Sequence, residues 1–419
     1  MLKSLRISFV VLAAVFVLAG SVRPADAQTA TAGQLLISEF RLRGPAGAND
    51  EFIEIYNNIG ASHTVVAASG TGYGIAASDG VTRCSIPNGT IIPAGGHFLC
   101  TNAAAGGYSL GAYPSGNGTT ATGDATYTTE IPGNTGIAIF NNNTGGGSYS
   151  LANRLDAVGS TSEANTTYKE GTGYPPIDDT FDINDAFYRD DCGKGGSITT
   201  MGPCTISTPK DTNNNAADFI FVDAHGTSAG AGQRLGGPGP QNLSSPVLRN
   251  STIASFSVDA NVSAAAAPNR VRDFAPDPLS SSTFGTLSIR RRFVNNSGAP
   301  VTRLRLRIVD QTTFPAPSGI ADMRARTSVA VVVGGITDPA TCAATGAPAT
   351  PPCSVTVQGT TLEQPPAQQF GGAFNSSMGA GTITLATPLA NGASINLQFL
   401  LGIQQTGNFK IYINIEALP

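Results

Sequence analysis

The residues of this chain best suited to hold a hard cation lie in one short run. Asp211, Asn213 and Asn215 occupy alternate positions of DTNNN, and Asp218 follows, so four oxygen-bearing side chains approach the spacing of a calcium loop. The run lacks the glycine at the sixth loop position and the bidentate glutamate at the twelfth, so it is not an EF-hand. The alternative is that these Asp and Asn residues cap turns by bonding their own backbone. Asp178, Asp179, Asp182 and Asp185 form a second, looser acidic group with the same two readings.

Arginines supply the opposite chemistry. Arg303, Arg305 and Arg307 alternate with Leu304, Leu306 and Ile308, so an extended strand sends three guanidinium groups to one face and three aliphatic chains to the other. Arg290, Arg291 and Arg292 precede them on another candidate strand, beside Ile289 and Phe293. If the two strands pair through a turn at Asn295-Asn296-Ser297-Gly298, then Arg290, Arg292, Arg303, Arg305 and Arg307 make a basic strip suited to carboxylates, sulfates or phosphates. The alternative is a solvated sheet face that discourages aggregation.

Catalytic chemistry finds little support. No GxSxG, HExxH, Walker or dinucleotide-binding fingerprint occurs in a supporting context. His63, His97 and His225 are far apart in sequence, and His225, beside Asp223 in VDAHGTS, is read as an exposed loop residue. Nothing selects a glycosidase-like pair among the acids. The expectation is a non-catalytic chain with no cofactor, calcium being the one ion for which ligands are in view.

The elements that must carry these residues are strands. Only 12% of the 419 residues are charged, and 50 Gly and 27 Pro accompany many β-branched residues, which favours sheets and long loops. In the first half LISEF, EFIEIY and later short runs are punctuated by turn residues; Ile53 and Ile55 fall on one face of their strand, Phe52, Glu54 and Tyr56 on the other. About eight further runs follow, among them 286–294, 301–309, 382–385 and 394–401. The fold class expected is all-β, two β-sandwich domains behind a cleaved signal peptide.

Lys3 and Arg6 precede an apolar run from Ile7 to Gly20, and Ala25-Asp26-Ala27 offers a cleavage site, so residues 1–27 read as a Sec-type signal peptide. Ser21 stands where a lipoprotein would need cysteine. No transmembrane span is expected in the mature chain. From Gln28 to Pro246 there are 9 basic and 19 acidic residues, a net of 9 − 19 = −10; beyond Pro246 the balance is 12 − 8 = +4. This sign change, beside the stretch RLGGPGPQNLSSP, places a linker between domains at 28–243 and 247–419. Six cysteines in an exported chain suggest disulfides, and neighbouring pairs close short loops: Cys84 with Cys100, Cys192 with Cys204, Cys342 with Cys353.

Several blocks in the first half, in order, resemble the bacterial lamin-tail family: LLISEF at 35–40, NDEFIEIYN at 49–57, GYGIAASDG at 72–80, IPNGTIIPAGGHFLCTN at 86–102, GNTGIAIFNN at 133–142 and LDAVG at 155–159. YRDD at 188–191, DTNNNAADF at 211–219 and GGPGPQN at 236–242 extend the resemblance over 33–242. Tyr73 stands where that family usually places Trp, and a Gly, Thr and Tyr rich insertion separates Asn102 from Gly133. The resemblance implies an immunoglobulin-like sandwich and an extracellular setting, but a fold does not supply a function. The second sandwich resembles no family in particular.

The expected role is a secreted or cell-surface protein, with the periplasm as the other compartment, that binds, adheres to or scaffolds an extracellular polymer or protein. The alternative is an accessory module of an extracellular hydrolase system acting on polysaccharide or nucleic acid; a metal-dependent enzyme built on the acidic loops ranks third. Nucleic acid is not expected as the direct partner, because the chain has a pI near 5.4.

Overall fold

The computed structural model describes residues 28–114, 119–177, 182–191, 208–224, 236–249, 252–310, 321–344, 350–364, 372–380, 388–409 and 411–418. The chain is nearly all β. Strands of the first half are β1 (Leu35–Arg41), β2 (Phe52–Asn57), β3 (His63–Thr64), β4 (Gly72–Ala77), β5 (Thr82–Pro87) and β6 (Ile91–Ile92). They continue as β7 (His97–Asn102), β8 (Ala125–Tyr127), β9 (Ile137–Phe140), β10 (Arg154–Val158), β11 (Asp185–Arg189) and β12 (Phe219–Asp223). Two sheets face each other, one ordered β12-β11-β1-β2-β7-β8 and the other β10-β9-β4-β5.

Period-two alternation builds this core. Ile53 and Ile55 on β2 and Ile75 on β4 are fully buried in it. On β1 the register shifts between Ile37 and Glu39, and this irregularity changes the phase so that Leu35, Ile37 and Phe40 all reach the core. Tyr73 is fully buried, and its hydroxyl accepts from the Ala30 amide at 2.7 Å. A disulfide joins Cys84 on β5 to Cys100 on β7, fastening one sheet to the other through the core.

The second half comprises β13 (Leu248–Arg249), β14 (Ile253–Ser257), β15 (Arg270–Asp273), β16 (Thr286–Asn295), β17 (Arg303–Asp310) and β18 (Asp322–Arg326). It continues with β19 (Val331–Ile336), β20 (Cys353–Val357), β21 (Thr360–Gln364), β22 (Ser377–Ala380), β23 (Ser394–Gln405) and β24 (Tyr412–Leu418). One sheet runs β13-β24-β17-β22-β21; the other runs β14-β16-β23-β18, with β15 also on β16. Between them lie Leu304, Leu306, Met378, Leu397, Phe399 and Leu401. A disulfide from Cys342 to Cys353 ties a short helix, Pro339–Ala343, to the β19–β20 ladder. The proposed Cys192–Cys204 pair and the strand at 382–385 lie outside the described residues.

Two sequence expectations are corrected. β16 and β17 do not form a hairpin. Both edges of β16 are taken, by β14 and β15 on one side and β23 on the other, while β17 pairs with β24 and β22. The turn at 295–298 therefore begins a crossing between sheets, held by the Asn295 side-chain nitrogen donating to the Ala299 and Leu389 carbonyls. Nor is 236–242 an exposed linker: all seven residues are buried. Gly236 pairs with Phe374 of the second half, and a Cβ there would lie 2.2 Å from the Phe374 carbonyl oxygen. The segment is a strap between the two sandwiches.

Replacing Cys84 and Cys100 together by Ser should lower stability by roughly 3 kcal/mol, the chain-entropy value for a loop of this size. Denaturant unfolding with and without reductant would check it; a variant as stable as the parent would show that the cross-sheet bond contributes nothing.

Candidate functional site

The acidic run expected to hold calcium is largely occupied with the fold's own backbone. Asp218 accepts from the Thr212 and Asn214 amides at 2.9 and 3.2 Å and from the Thr212 hydroxyl at 2.7 Å. Asn215 is fully buried; its side-chain oxygen accepts from the Gly159 and Glu170 amides and its nitrogen donates to the Ala157 carbonyl. Asn213 is exposed with φ of 56°, the left-handed conformation Asn tolerates. Asp218 and Asn215 thus serve as a cap and a stitch, which corrects the four-ligand loop.

Asp211 instead joins Asp156 and Glu170, each offering an oxygen within 4.8 Å of the others. Two arginines reach the same group: Arg189 lies 2.6 Å from Asp156 and 3.7 Å from Asp211, and Arg154 lies 2.9 Å from Glu170. Burial first, then the neighbouring Asp156 charge, pushes Glu170 up to about 8 against the pull of Arg154. Burial also raises Asp156 against the pull of Arg189, and Asp218 lies 3.9 Å from the same guanidinium. Two arginines thus already stand among the carboxylates that a cation would need. In the other acidic group Asp182 pairs with Arg43 at 2.5 Å, whereas Asp185 is buried in β11 and burial drives its carboxyl well above the ordinary range. Asp178, Asp179 and His225 lie outside the described residues.

The arginine strip divides between two sheets. On β17 the alternation holds: Leu304, Leu306 and Ile308 enter the second core, and Arg303, Arg305 and Arg307 take the other face. That face does not meet solvent. Arg305 and Arg307 are 0% and 2% exposed, because the sheet packs its charged side against the first sandwich. Arg303 pairs with Glu363. On β16, Arg292 lies 3.8 Å from Asp338 with its guanidinium over the Phe256 ring, and Arg290 is half-buried. The basic face for soluble polyanions is therefore corrected for Arg305 and Arg307.

What β17 meets is a set of acids from both halves. Glu416 on β24 lies 3.6 Å from Arg305 and 3.4 Å from Arg307, and Glu39 on β1 lies 4.0 Å from Arg307. Glu39 and Glu54 are directly paired across β1 and β2. The strap threads between: the Gly239 amide donates to Glu39 at 2.7 Å while its carbonyl accepts from Arg307 at 3.0 Å, and the Gln241 amide donates to Glu54 at 2.5 Å. A Cβ on Gly239 would lie 2.8 Å from the Arg307 guanidinium. Asn375 and Ser377 accept from Arg307 and Arg305 at 2.6 and 2.7 Å, and Asn414 reaches Asp191 of the first half at 3.0 Å.

Three carboxylates face two guanidiniums here, so one proton balances the group. Burial, then the Glu39 charge beside it, pushes Glu54 up to about 8 even though Arg307 opposes the shift. Burial also raises Glu39, and burial and Arg307 pull Arg305 down to about 10. The acidic members were missed in the sequence. For two of them the signal was present: Glu54 and Glu416 are lone acids inside apolar strands, on the face opposite the aliphatic row, whereas Glu39 falls in phase with Leu35 and Ile37 and only the register shift on β1 turns it to the other face.

No family model, no curated protein and no solved structure matches this chain.

Two outcomes follow from this electrostatics. A carboxyl whose folded pKa lies above its unfolded one stabilises below the unfolded value and loses that contribution as pH rises through the folded one. For Glu54 stability should thus fall between about pH 4.5 and 8, at roughly 1.4 kcal/mol per pH unit at most. Glu54→Gln, with the Ser38 hydroxyl turned to accept, should flatten that slope and exceed the parent at pH 9, as urea midpoints across pH would show. Calcium at about 10 mM should move the melting temperature by no more than about 1 °C relative to chelator; a rise of several degrees would mean that a cation displaces Arg189.

Proposed function

We propose that this protein is an exported, non-catalytic scaffold or adhesion protein whose two sandwiches act as a single body on an extracellular polymer or protein. The observation that carries this reading is the junction. Arg305, Arg307, Glu39, Glu54 and Glu416 are all essentially inaccessible, and separating the halves would take Glu39 away from Arg307, leaving Arg307 with Glu416 as its acid. Buried charge is costly to break, roughly 3–5 kcal/mol when one partner is removed, so the arrangement favours persistence of one relative orientation. A disulfide within each half and loops punctuated by Gly and Pro suit a stable frame presenting variable surface.

The first sandwich, in this proposal, is a lamin-tail-like, immunoglobulin-like domain. Its sequence blocks at 35–40, 49–57, 72–80 and 86–102 fall on β1, β2, β4 and β5 to β7, elements that contribute to one core. The signal peptide at 1–27 is proposed as the route of export, to the cell surface, medium or periplasm. Among the described residues no helix is long and apolar enough to cross a membrane.

Expressed with its leader in a bacterium, the protein should be recovered outside the cytoplasm with Gln28 as its first residue. Calorimetry of the purified chain should give one transition, which Arg307→Met should split into two or shift downward by the energy of a broken buried pair. Binding to surface polysaccharide or matrix protein should proceed without turnover. Cytoplasmic retention, two independent transitions in the parent, or release of polymer fragments would each reject the reading.

A further inference from the structure

The alternation on β16 places one arginine where a sandwich expects an aliphatic residue. Leu287, Ile289 and Phe293 point into the second core, and Arg291 lies in phase with them, so its guanidinium belongs to the inward face. The two sheets part beside it. Between β24 and the β14–β16 edge opens a cavity of about 940 Å3, walled by Ile289, Phe293, Phe399, Phe409, Ile411 and Ile413. That volume sits within the roughly 300–1,000 Å3 range of small-molecule sites. Phe409, Ile411 and Ile413 are only partly buried, so this lining is accessible from outside. A second cavity of about 320 Å3 shares Arg270 and Phe409 with it and is lined also by Leu287, Met323 and Ile403.

Arg270, on β15 directly opposite Ile289, joins Arg291 in the same wall. Among the described residues no carboxylate stands within 4.0 Å of either guanidinium. Arg270 bonds the Ala265 carbonyl at 3.2 Å and lies over the Phe409 ring, and Arg291 bonds the Arg290 carbonyl at 2.8 Å. Burial and the Arg270 charge both lower the Arg291 pKa, as expected of a cation lacking an acidic partner. The contrast with β17 is sharp: Arg303, Arg305 and Arg307 all meet glutamate.

We propose that this cavity binds a free long-chain fatty carboxylate, its chain between the two sheets and its head group between Arg270 and Arg291. The chemistry is complementary on both counts. An apolar slot needs an apolar occupant, and two partially desolvated guanidinium forks need an anion with two oxygens. The site is separate from the junction, which lies on the opposite face of the β24–β17 sheet, so the inference does not depend on the proposed scaffold role.

The test is calorimetric titration of the full mature chain with saturated fatty carboxylates from ten to eighteen carbons, below their micelle concentrations. Affinity should rise about three- to fourfold per methylene until the slot is full. The matching alcohols should bind at least tenfold more weakly, and Arg270→Ala with Arg291→Ala should abolish that preference. Ala265 is exposed at the cavity wall, so Ala265→Trp can block entry with the sheets unaltered, and its unchanged circular dichroism would separate loss of binding from loss of fold. No saturable binding in the parent, equal affinity for acid and alcohol, or binding only to anionic phospholipid vesicles would each overturn the proposal.

Discussion

Burial of the Arg305–Arg307 face of β17 against Glu39 and Glu54 of the first sandwich is the constraint on which the rest of the structure depends. A sheet in a simple sandwich has one dry face and one wet face. Here the sheet containing β1 and β2 and the sheet containing β17 and β24 each give an apolar face to their own core and turn the polar face toward the other. Moving several charges out of water is costly unless each finds partners. The strap at 236–242 supplies them, presenting a peptide donor to Glu39 and an acceptor to Arg307 at the same glycine. A side chain there would press on the Arg307 guanidinium.

The junction also has an apolar part. Phe52, Leu99, Tyr188, Ile220 and Val222, on the outer side of the first six-stranded sheet, cluster with Phe374 of the second half, and the Tyr188 and Phe374 rings meet edge to face at 5.9 Å. Apolar burial drives the docking of the two halves, while the charges decide its register, because a slip along the strands would leave an acid without its arginine. Specificity of arrangement, more than net stability, is what such a buried network supplies.

The acidic group around Arg189 obeys the same rule on a smaller scale. Asp156, between β10 and β1, accepts from the Ile37 amide and from Arg189 with the same oxygen at 2.6 Å each, joining the two sheets of the first sandwich through a charge where elsewhere they meet through side-chain carbon. Asp211 and Glu170 gather because Asn215 holds their loops together. Arg270 and Arg291 line an open cavity, with no acid within 4.0 Å among the described residues.

Period-two alternation was sufficient to read the all-β class, strands at 36–40, 51–56, 286–294 and 301–309 that lie within a residue or two of the observed ones, and which side chains share a face, because strand geometry fixes these locally. Pairing of Cys84 with Cys100 and Cys342 with Cys353 was legible for the same reason, since loop length limits the partners. What faces the polar side of a strand is not a local property. RLRLR looks identical whether its arginines meet water or glutamate, and only the docking of β17 on the strap and β1 decides between them. The turn at 295–298 specifies a reversal and not the sheet that receives the chain. Arg291, Glu39, Glu54 and Glu416 took their meaning from residues far away in sequence, because the free energy of a buried charge is set by what surrounds it after the sheets have stacked.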